Sequence, residues 1–413
     1  MSQKIQPVRG MKDILPDDYL VVDHITNTAW EIAKRYGFQR MATPVLEHSG
    51  VFSRSLGESS DVVSKEMYSF LDKSDDSLTM RPEFTAGIMR AFISEGLQHQ
   101  LPLRLFTNGP CFRYDRPQAG RFRQFHHLNY EFLGLDSPYA DAEMLCLARD
   151  LCEGWGILQD VTLEVNSLGC AESRKAYQAT LFEYFSSHKD KLSEDSQRRL
   201  LKNPMRILDS KDEGDKIIVS GAEVMADHYT DESRKYFDEV LRLLEVMKIN
   251  YVVNPKLVRG LDYYCHTAFE FTAPKFNSLS ILGGGRYDCL AKIMGGPDTP
   301  ACGFAAGLER IMLLREFSIS PARPCVVVSI GDENFEHGVA VVQDLRKVGA
   351  QVIFEHKGKI GKRMQNADKA KAKYVVFIGS DEVASKKYKM KDMDSGVETL
   401  EDLQSIMNVI SSI

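Results

Sequence analysis

The run Arg121-Phe122-Arg123-Gln124-Phe125-His126-His127-Leu128-Asn129-Tyr130-Glu131-Phe132 sets several chemistries at alternate positions. Side chains of an extended strand point to opposite faces in turn. One face therefore presents Arg123, Phe125, His127, Asn129 and Glu131, and the other Phe122, Gln124, His126, Leu128, Tyr130 and Phe132. The second set can pack against helices. The first puts a cation, an aromatic ring, an imidazole, an amide and a carboxylate in one row. On a plain sheet such a row faces water. As a site it makes the floor for a ligand with an anionic end, a flat ring and a cationic end, which is the make-up of ATP together with an amino acid. Arg123 would then meet phosphate, Phe125 would stack under a base, and Glu131 would receive a positive or donor group.

Arg113 stands on the preceding strand pattern, and Arg116, Arg121 and Arg123 crowd the tip between the two strands. Guanidinium groups there suit a polyphosphate or RNA phosphate, or else form a solvated basic turn. A second constellation is Arg259-Gly260-Leu261-Asp262-Tyr263-Tyr264. Gly260 lets the backbone depart from strict alternation. The two phenols can hydrogen-bond a polar ring, although adjacent tyrosines also commonly divide between core and surface. Leu282-Gly283-Gly284-Gly285-Arg286-Tyr287-Asp288 permits close backbone approach to a ligand. It is not a P-loop, since no Gly-Lys-Ser/Thr follows, nor does it open a dinucleotide-binding βαβ unit. Gly303-Phe304-Ala305-Ala306-Gly307-Leu308-Glu309-Arg310 leads small residues into a helix whose first turn bears Arg310. That is a place for an anion, or an ordinary exposed ion pair.

These residues need elements to hold them. Val22, Ile25, Ala29, Ile32, Ala33 and Tyr36 recur at helical spacing, with Asp17 and Asp18 before them and Gly37 after. A second helix is expected near 85–96. Strand patterns follow over 103–115 and 122–134, joined through Pro117 and Gly120 as a hairpin with a longish loop. Residues 139–155 read as a helix. Residues 172–250 are rich in Glu, Lys, Arg, Leu and Ser and read as a helical insertion. Strands and Gly-rich turns return over 251–315. From Pro324 the pattern alternates: strand at 325–330, helix at 334–348, strand at 350–355, helix at 359–370, strand at 374–379. This predicts a small separate α/β domain with a largely parallel sheet.

The 413 residues suit two or three domains and a sizeable core. A hydrophobic share of 43% and a charged share of 27% are those of an ordinary globular protein. The opening residues carry no secretory signal, and no apolar run is long enough to span a bilayer. The eight cysteines form no C-x-x-C pair, which speaks against a disulfide framework or zinc site and for the cytoplasm. A net charge of -6 does not advertise a nucleic-acid binder. Yet 357–373 carries Lys357, Lys359, Lys362, Arg363, Lys369, Lys371 and Lys373 against Asp368 alone, either a solvated helix face or a phosphate-binding patch.

Taken together the motifs resemble those of class II aminoacyl-tRNA synthetases, and among them the histidyl-tRNA synthetase family. Phe112-Arg113-Tyr114-Asp115-Arg116-Pro117-Gln118 through Arg121-Phe122-Arg123-Gln124-Phe125 resembles the second class motif. Gly307-Leu308-Glu309-Arg310 resembles the third, and Pro44 sits where the first, dimer-forming motif has its proline. The histidine-specific stretches are Arg259 to Tyr264 and Gly284 to Asp288. Arg81-Pro82-Glu83-Phe84-Thr85-Ala86 and Val8 to Pro16 are similar to the family as well. The likeness covers nearly the whole chain. It departs at His127, where the family usually has Gln, and at Asp115, where it usually has Glu.

The resemblance implies an α+β fold: a catalytic antiparallel sheet flanked by helices, a helical insertion and a C-terminal α/β anticodon-binding domain. The expected divisions are 1–171 and 251–320 for the two parts of the core, 172–250 for the insertion and 324–413 for the anticodon-binding domain. It implies ligation of L-histidine to tRNA(His) through an adenylate, with ATP as substrate, Mg²⁺ on ligands that the sequence does not identify, and a homodimer. Arg259 and Arg113 would be catalytic at the α-phosphate. Arg113, Arg121, Phe125 and Arg310 would bind ATP, with Phe125 and Arg310 sandwiching adenine. Glu83, Thr85 and His127 would lie at the histidine α-amino group, and Glu131 and Tyr264 at its imidazole. Arg116, Gln118 and Arg123, with Lys357, Lys359 and Arg363, would contact tRNA. The rival is a non-catalytic, histidine-binding paralogue like the regulatory subunit of ATP phosphoribosyltransferase. Such paralogues typically lack the anticodon-binding domain and the Arg259-type motif.

Overall fold

The computed structural model describes residues 5–57, 60 and 62–411. The chain divides into two compact units, Met1–Ser318 and Ile319–Ile413.

In the first unit α1 spans Pro16–Arg35, with Asp17 and Asp18 in its first turn and Lys34 and Arg35 in its last, both favourable to the helix dipole. Its expected stripe of Val22, Ile25, Ala29, Ile32 and Ala33 is buried. β1 (Gln39–Arg40) and β2 (Leu46–His48) follow, then α2 (Ser49–Leu56), β3 (Tyr68–Leu71), β4 (Ser77–Met80) and α3 (Thr85–Ser94). The hairpin is β5 (Leu103–Phe112) and β6 (Gln124–Leu133), and α4 covers Pro138–Gly154. β7 (Thr162–Ser167) leads into the insertion helices α5 (Ala171–Ser187), α6 (Glu194–Lys202), α7 (Glu213–Ser220) and α8 (Asp231–Val246). β8 (Val252–Val253), β9 (Cys265–Ala273), β10 (Leu279–Arg286), α9 (Leu290–Ile293), β11 (Ala301–Gly307) and α10 (Leu308–Leu314) complete the unit.

Among the described residues, eight strands form the main sheet in the order β1-β5-β6-β11-β10-β9-β7-β8. It is antiparallel except at its ends, where β1 pairs β5 and β7 pairs β8 in parallel. One face is sealed by α1, α4 and α8, whose Ile25, Leu145 and Val240 pack with Leu128, Tyr130, Phe269 and Phe304 from the strands. Helix α8, inside the expected insertion, thus helps build the core of the sheet. The opposite face carries α2, α3 and the remaining insertion helices, and it is open over β6, β10 and β11.

A smaller sheet, β2-β4-β3, stands apart from the main one. Leu46 and Phe70 lie at registered positions along it, share a face, and are exposed with Val45 and Leu71.

The second unit begins as expected with β12 (Cys325–Ser329), α11 (Phe335–Lys347), β13 (Val352–Glu355), α12 (Ile360–Lys369) and β14 (Tyr374–Ile378), and its strands β13-β12-β14 are parallel. After α13 (Ser380–Ser385) comes an antiparallel hairpin, β15 (Lys387–Asp392) and β16 (Glu398–Asp402), and then α14 (Leu403–Ile410). The sheet is therefore mixed, not largely parallel.

Candidate active site

The alternation expected of β6 holds over Phe125 to Phe132. Leu128, Tyr130 and Phe132 go into the core under α1 and α4, while Phe125, His127 and Asn129 line the open cavity. Two residues of the run behave differently, Arg123 of the row and His126 of the packing face. The strand begins at Gln124, so Arg123 lies outside the alternation. Its guanidinium stacks on the Tyr114 ring at 3.7 Å, and it lines a separate outer hollow with Arg9 and Arg116. Gln118 is exposed at the same hairpin tip and pairs with Arg121 across the turn. His126, expected on the packing face, instead clamps the third motif: its backbone N–H donates to Glu309 at 3.0 Å, and its Nδ1 lies 2.8 Å from Glu309 Oε1. That clamp ties β6 to α10, whose Arg310 lines the cavity together with Phe125.

One end of the cavity is carboxylate and phenol. Glu83 accepts the N–H groups of Thr85 and Ala86 at 2.6 and 2.9 Å, occupying donors that the first turn of α3 leaves unpaired. Glu131 is 1% exposed and accepts from Thr85 Oγ1 at 2.5 Å, from Asn129 Nδ2 at 2.8 Å and from the Tyr287 hydroxyl. Burial pushes the Glu131 carboxyl up to about 7, although those three bonds oppose the shift. Gly303 faces it across the β6–β11 pairing, and a Cβ there would collide with the carboxylate. Tyr263 and Tyr264 stack at 4.6 Å between centroids, and Tyr263 meets Tyr287 at 5.4 Å. His127 is half-buried; burial, then Arg113 and Arg310, hold its imidazole well below the usual histidine range, so the ring is neutral near pH 7.

The other end is cationic, and it gathers Arg113, Arg121, Arg259 and Arg310. Arg113 Nε donates to Pro82 O at 2.9 Å, and the guanidinium lies 5.4 Å from the Phe125 ring centroid. Arg121 pairs with Asp115 at 3.1 Å. Arg310 is anchored on Gly120 O at 3.1 Å and Ser280 O at 2.6 Å. Burial together with Arg113 and Arg121 brings its side chain down to about 10. Arg259 pairs with Glu270 on β9, and its guanidinium occupies the space left at Gly283, where a Cβ would lie 2.7 Å from Nη1. So many cations crowded on a half-buried wall repel one another, and an anion relieves that repulsion.

Four contributors escape a reading by strand spacing. Tyr287 holds Glu131, Glu270 holds Arg259 and Glu309 holds His126. Arg286, fully buried, joins Asp141 at 2.6 Å to Asp288 at 2.9 Å and braces the end of the glycine strand. An arginine directly after three glycines is a signal that could have marked this last one. In the second unit Lys357 and Lys359 are exposed. Arg363 requires a correction: it is 8% exposed, and its guanidinium donates to Gly358 O at 2.8 Å and to Ser329 O. The side chain braces a loop and is not presented to an RNA phosphate.

Comparison with known proteins accords with this geometry. Residues 10–311 match the family model described as Histidyl-tRNA synthetase, and 324–413 match an Anticodon binding domain. A "Histidine--tRNA ligase" of Rickettsia bellii (strain RML369-C) is 55% identical over 412 residues, covering 99% of each chain. One from Rickettsia felis (strain ATCC VR-1525 / URRWXCal2) is 54% identical over the same span, again covering 99% of each. The apo crystal structure of S. aureus histidyl-tRNA synthetase superposes with a TM-score of 0.83 at 31% identity, covering 99% of this chain and 100% of that one. With both the core and the anticodon-binding module matched, the chain belongs to the histidyl-tRNA synthetase family.

Proposed function

We propose that this protein activates L-histidine with ATP and transfers the histidyl group to tRNA(His). The observation that carries the reading is the joining, in one cavity, of a four-arginine end to a carboxylate–phenol end. The histidine carboxylate attacks the α-phosphorus of ATP, giving histidyl-adenylate and pyrophosphate; the terminal ribose hydroxyl of the tRNA then attacks the carbonyl carbon of the adenylate, which breaks the acyl–phosphate bond and gives histidyl-tRNA and AMP. Two anions must approach each other in the first step, so fixed cations, rather than an acid or base, are what the step needs. Arg113 and Arg259 take the α-phosphate. Arg121 and Arg310 take the outer phosphates, with Phe125 and Arg310 on either side of adenine. Glu83, Thr85 and neutral His127 receive the α-ammonium, and a neutral ring can accept from it without repulsion. Glu131 and Tyr264 pair with the imidazole nitrogens, so an isosteric amino acid lacking them leaves buried polar groups unpaired.

Among the described residues no group of three metal-type side chains occurs. The lining fits a Mg²⁺ held chiefly by phosphate oxygens and water, with Asp115 and Glu309 the carboxylates available to it. Such an ion would neutralise charge on the leaving pyrophosphate. Arg116, Gln118 and Arg123 at the hairpin tip, and Lys357 and Lys359 in the second unit, face solvent or an outer hollow and suit tRNA phosphates. The divisions proposed are 1–171 with 251–320 for the catalytic core, 172–250 for the insertion and 324–413 for anticodon binding. A homodimer is inferred from the apolar face of Leu46 and Phe70 beside Pro44. A cytoplasmic location accords with free cysteines throughout and, among the described residues, no helix long and apolar enough to cross a membrane.

The test is histidine-dependent ATP–pyrophosphate exchange, followed by charging of tRNA(His). Both should be seen with the purified chain. Histidine binding without exchange would overturn the synthetase reading in favour of a regulatory paralogue.

A further inference from the structure

Residues 258–264 carry Arg259 and Tyr264, yet lie in neither helix nor strand. No ladder of backbone hydrogen bonds fixes them, and their conformation must come from elsewhere. The structure shows where. Arg206 Nη1 donates to the carbonyl of Arg259 at 3.2 Å, and Asn203 Nδ2 donates to Asp262 Oδ1 at 3.0 Å. Arg174 of α5 donates to the carbonyl of Tyr264 at 2.5 Å. Each of these donors belongs to the insertion. Asn203 and Arg206 sit on one turn directly after α6, and that turn is itself secured. Asn203 Oδ1 accepts Met205 N–H at 3.2 Å, and Arg199 of α6 donates to Arg206 O at 3.3 Å. The loop is thus a thin wall. Arg259, Leu261 and Tyr264 line the ligand cavity on one side, and on the other they line a small polar cavity with Asn203, Arg206 and Arg174.

We infer that Asn203 and Arg206 are positioning residues for the activation step, acting through the 258–264 loop to aim Arg259 at phosphate and Tyr264 at the amino acid. This rests on the synthetase reading above. The insertion thereby governs the active site from behind, without touching substrate. A displacement of about 1 Å of a catalytic group can cost on the order of a hundredfold in rate. Asn203→Asp keeps the acceptor for Met205 N–H but sets a second carboxylate against Asp262. Asn203→Ala removes the donor without adding repulsion.

The experiment is steady-state ATP–pyrophosphate exchange on the full chain, with thermal melts to verify folding. N203D should lower kcat by about 10–100-fold and shift the KM for ATP less than about threefold, since the aim of Arg259 matters most in the transition state. N203A should lower kcat by about 5–10-fold, a smaller displacement of the same kind. The reversed pair N203D/D262N restores an amide opposite a carboxylate and should recover at least about tenfold in kcat over N203D, a coupling that two independent sites would not show. Full kcat in N203A, or a double variant no better than N203D, would overturn the inference. If N203D does not fold, N203A alone decides it. An unsubstituted protein lacking histidine-dependent exchange would instead overturn the functional reading.

Discussion

Arg259 lines the cavity, Glu131 lies buried behind Thr85 and Asn129, which also line it, and each makes a separate claim. Arg259 is a cation held in place by its pairing with Glu270, and on the proposed function it meets the α-phosphate. Arg259→Ala should cost about 3–4 kcal/mol of transition-state stabilisation, read as a fall of roughly 10²–10³ in exchange kcat with histidine affinity little changed. Arg113→Ala should do the same. Glu131 makes a prediction about pH. Burial moves its carboxyl from the ordinary 4.5 to about 7. Below the lower value it is protonated in both folded and unfolded chains and has no effect. Between the two values the unfolded chain ionises while the fold resists, so stability falls as pH rises, and the full loss is present above 7. Glu131→Gln removes that loss. Its melting temperature relative to the parent should climb from about pH 5 to about pH 8, and a constant gap would mean that the carboxylate is ionised throughout. Strand spacing alone placed Glu131 correctly on the face of Phe125 and Asn129. It could not reveal Tyr287, because the partner comes from a strand two places away in the sheet and 156 residues on in sequence.

Elements differ in how far their sequences disclose them. α1, α3, α4 and the β5–β6 hairpin announce themselves through periodicity and turn residues, and the structure agrees within a few positions. The β15–β16 hairpin does not. Its Lys and Glu residues alternate along an edge with only Tyr388 and Met390 buried, which offers little apolar pattern to read. The 258–264 loop is illegible for another reason: its shape is imposed by Arg174, Asn203 and Arg206, whose local sequence says only that they are helical or polar. α12 and the loop before it show a third case, since a run of seven basic residues cannot say which one turns inward. Neutralising Lys357 and Lys359 should weaken charging of tRNA(His) and reduce its log–log salt slope by about 1–2, while leaving pyrophosphate exchange unchanged. Arg363→Ala should behave differently, destabilising the second unit by about 1–3 kcal/mol through carbonyls left without donors. Equal loss of exchange and charging in the lysine variant would show that those side chains serve the fold.

For the whole molecule, each unit has its own core: Val327, Leu345 and Ile378 belong to that of the second, and Leu128, Tyr130 and Phe304 to that of the first. On the proposed function, substrate activation would fall to the first unit and anticodon contact to the second, and pyrophosphate exchange and tRNA charging should then be separable by substitution. The proposed self-association belongs to this scale. Leu46 and Phe70 are exposed on one face of the small sheet, and an apolar patch of that kind marks an interaction surface. The parent protein should sediment as a dimer, and Leu46→Glu with Phe70→Glu should sediment as a monomer. A dimer that survives both substitutions would place the interface elsewhere.

Gly303 carries a consequence of a different order. The Glu131 carboxylate occupies the volume where its side chain would be. Every base change in a glycine codon that alters the amino acid adds at least a Cβ. At this codon each such change sets a Cβ against the Glu131 carboxylate and 2.5 Å from the Tyr130 carbonyl, whereas at Gly283 a Cβ would meet the flexible end of Arg259 at 2.7 Å. A lineage that changed its amino acid would have to move Glu131 before it could fill Gly303.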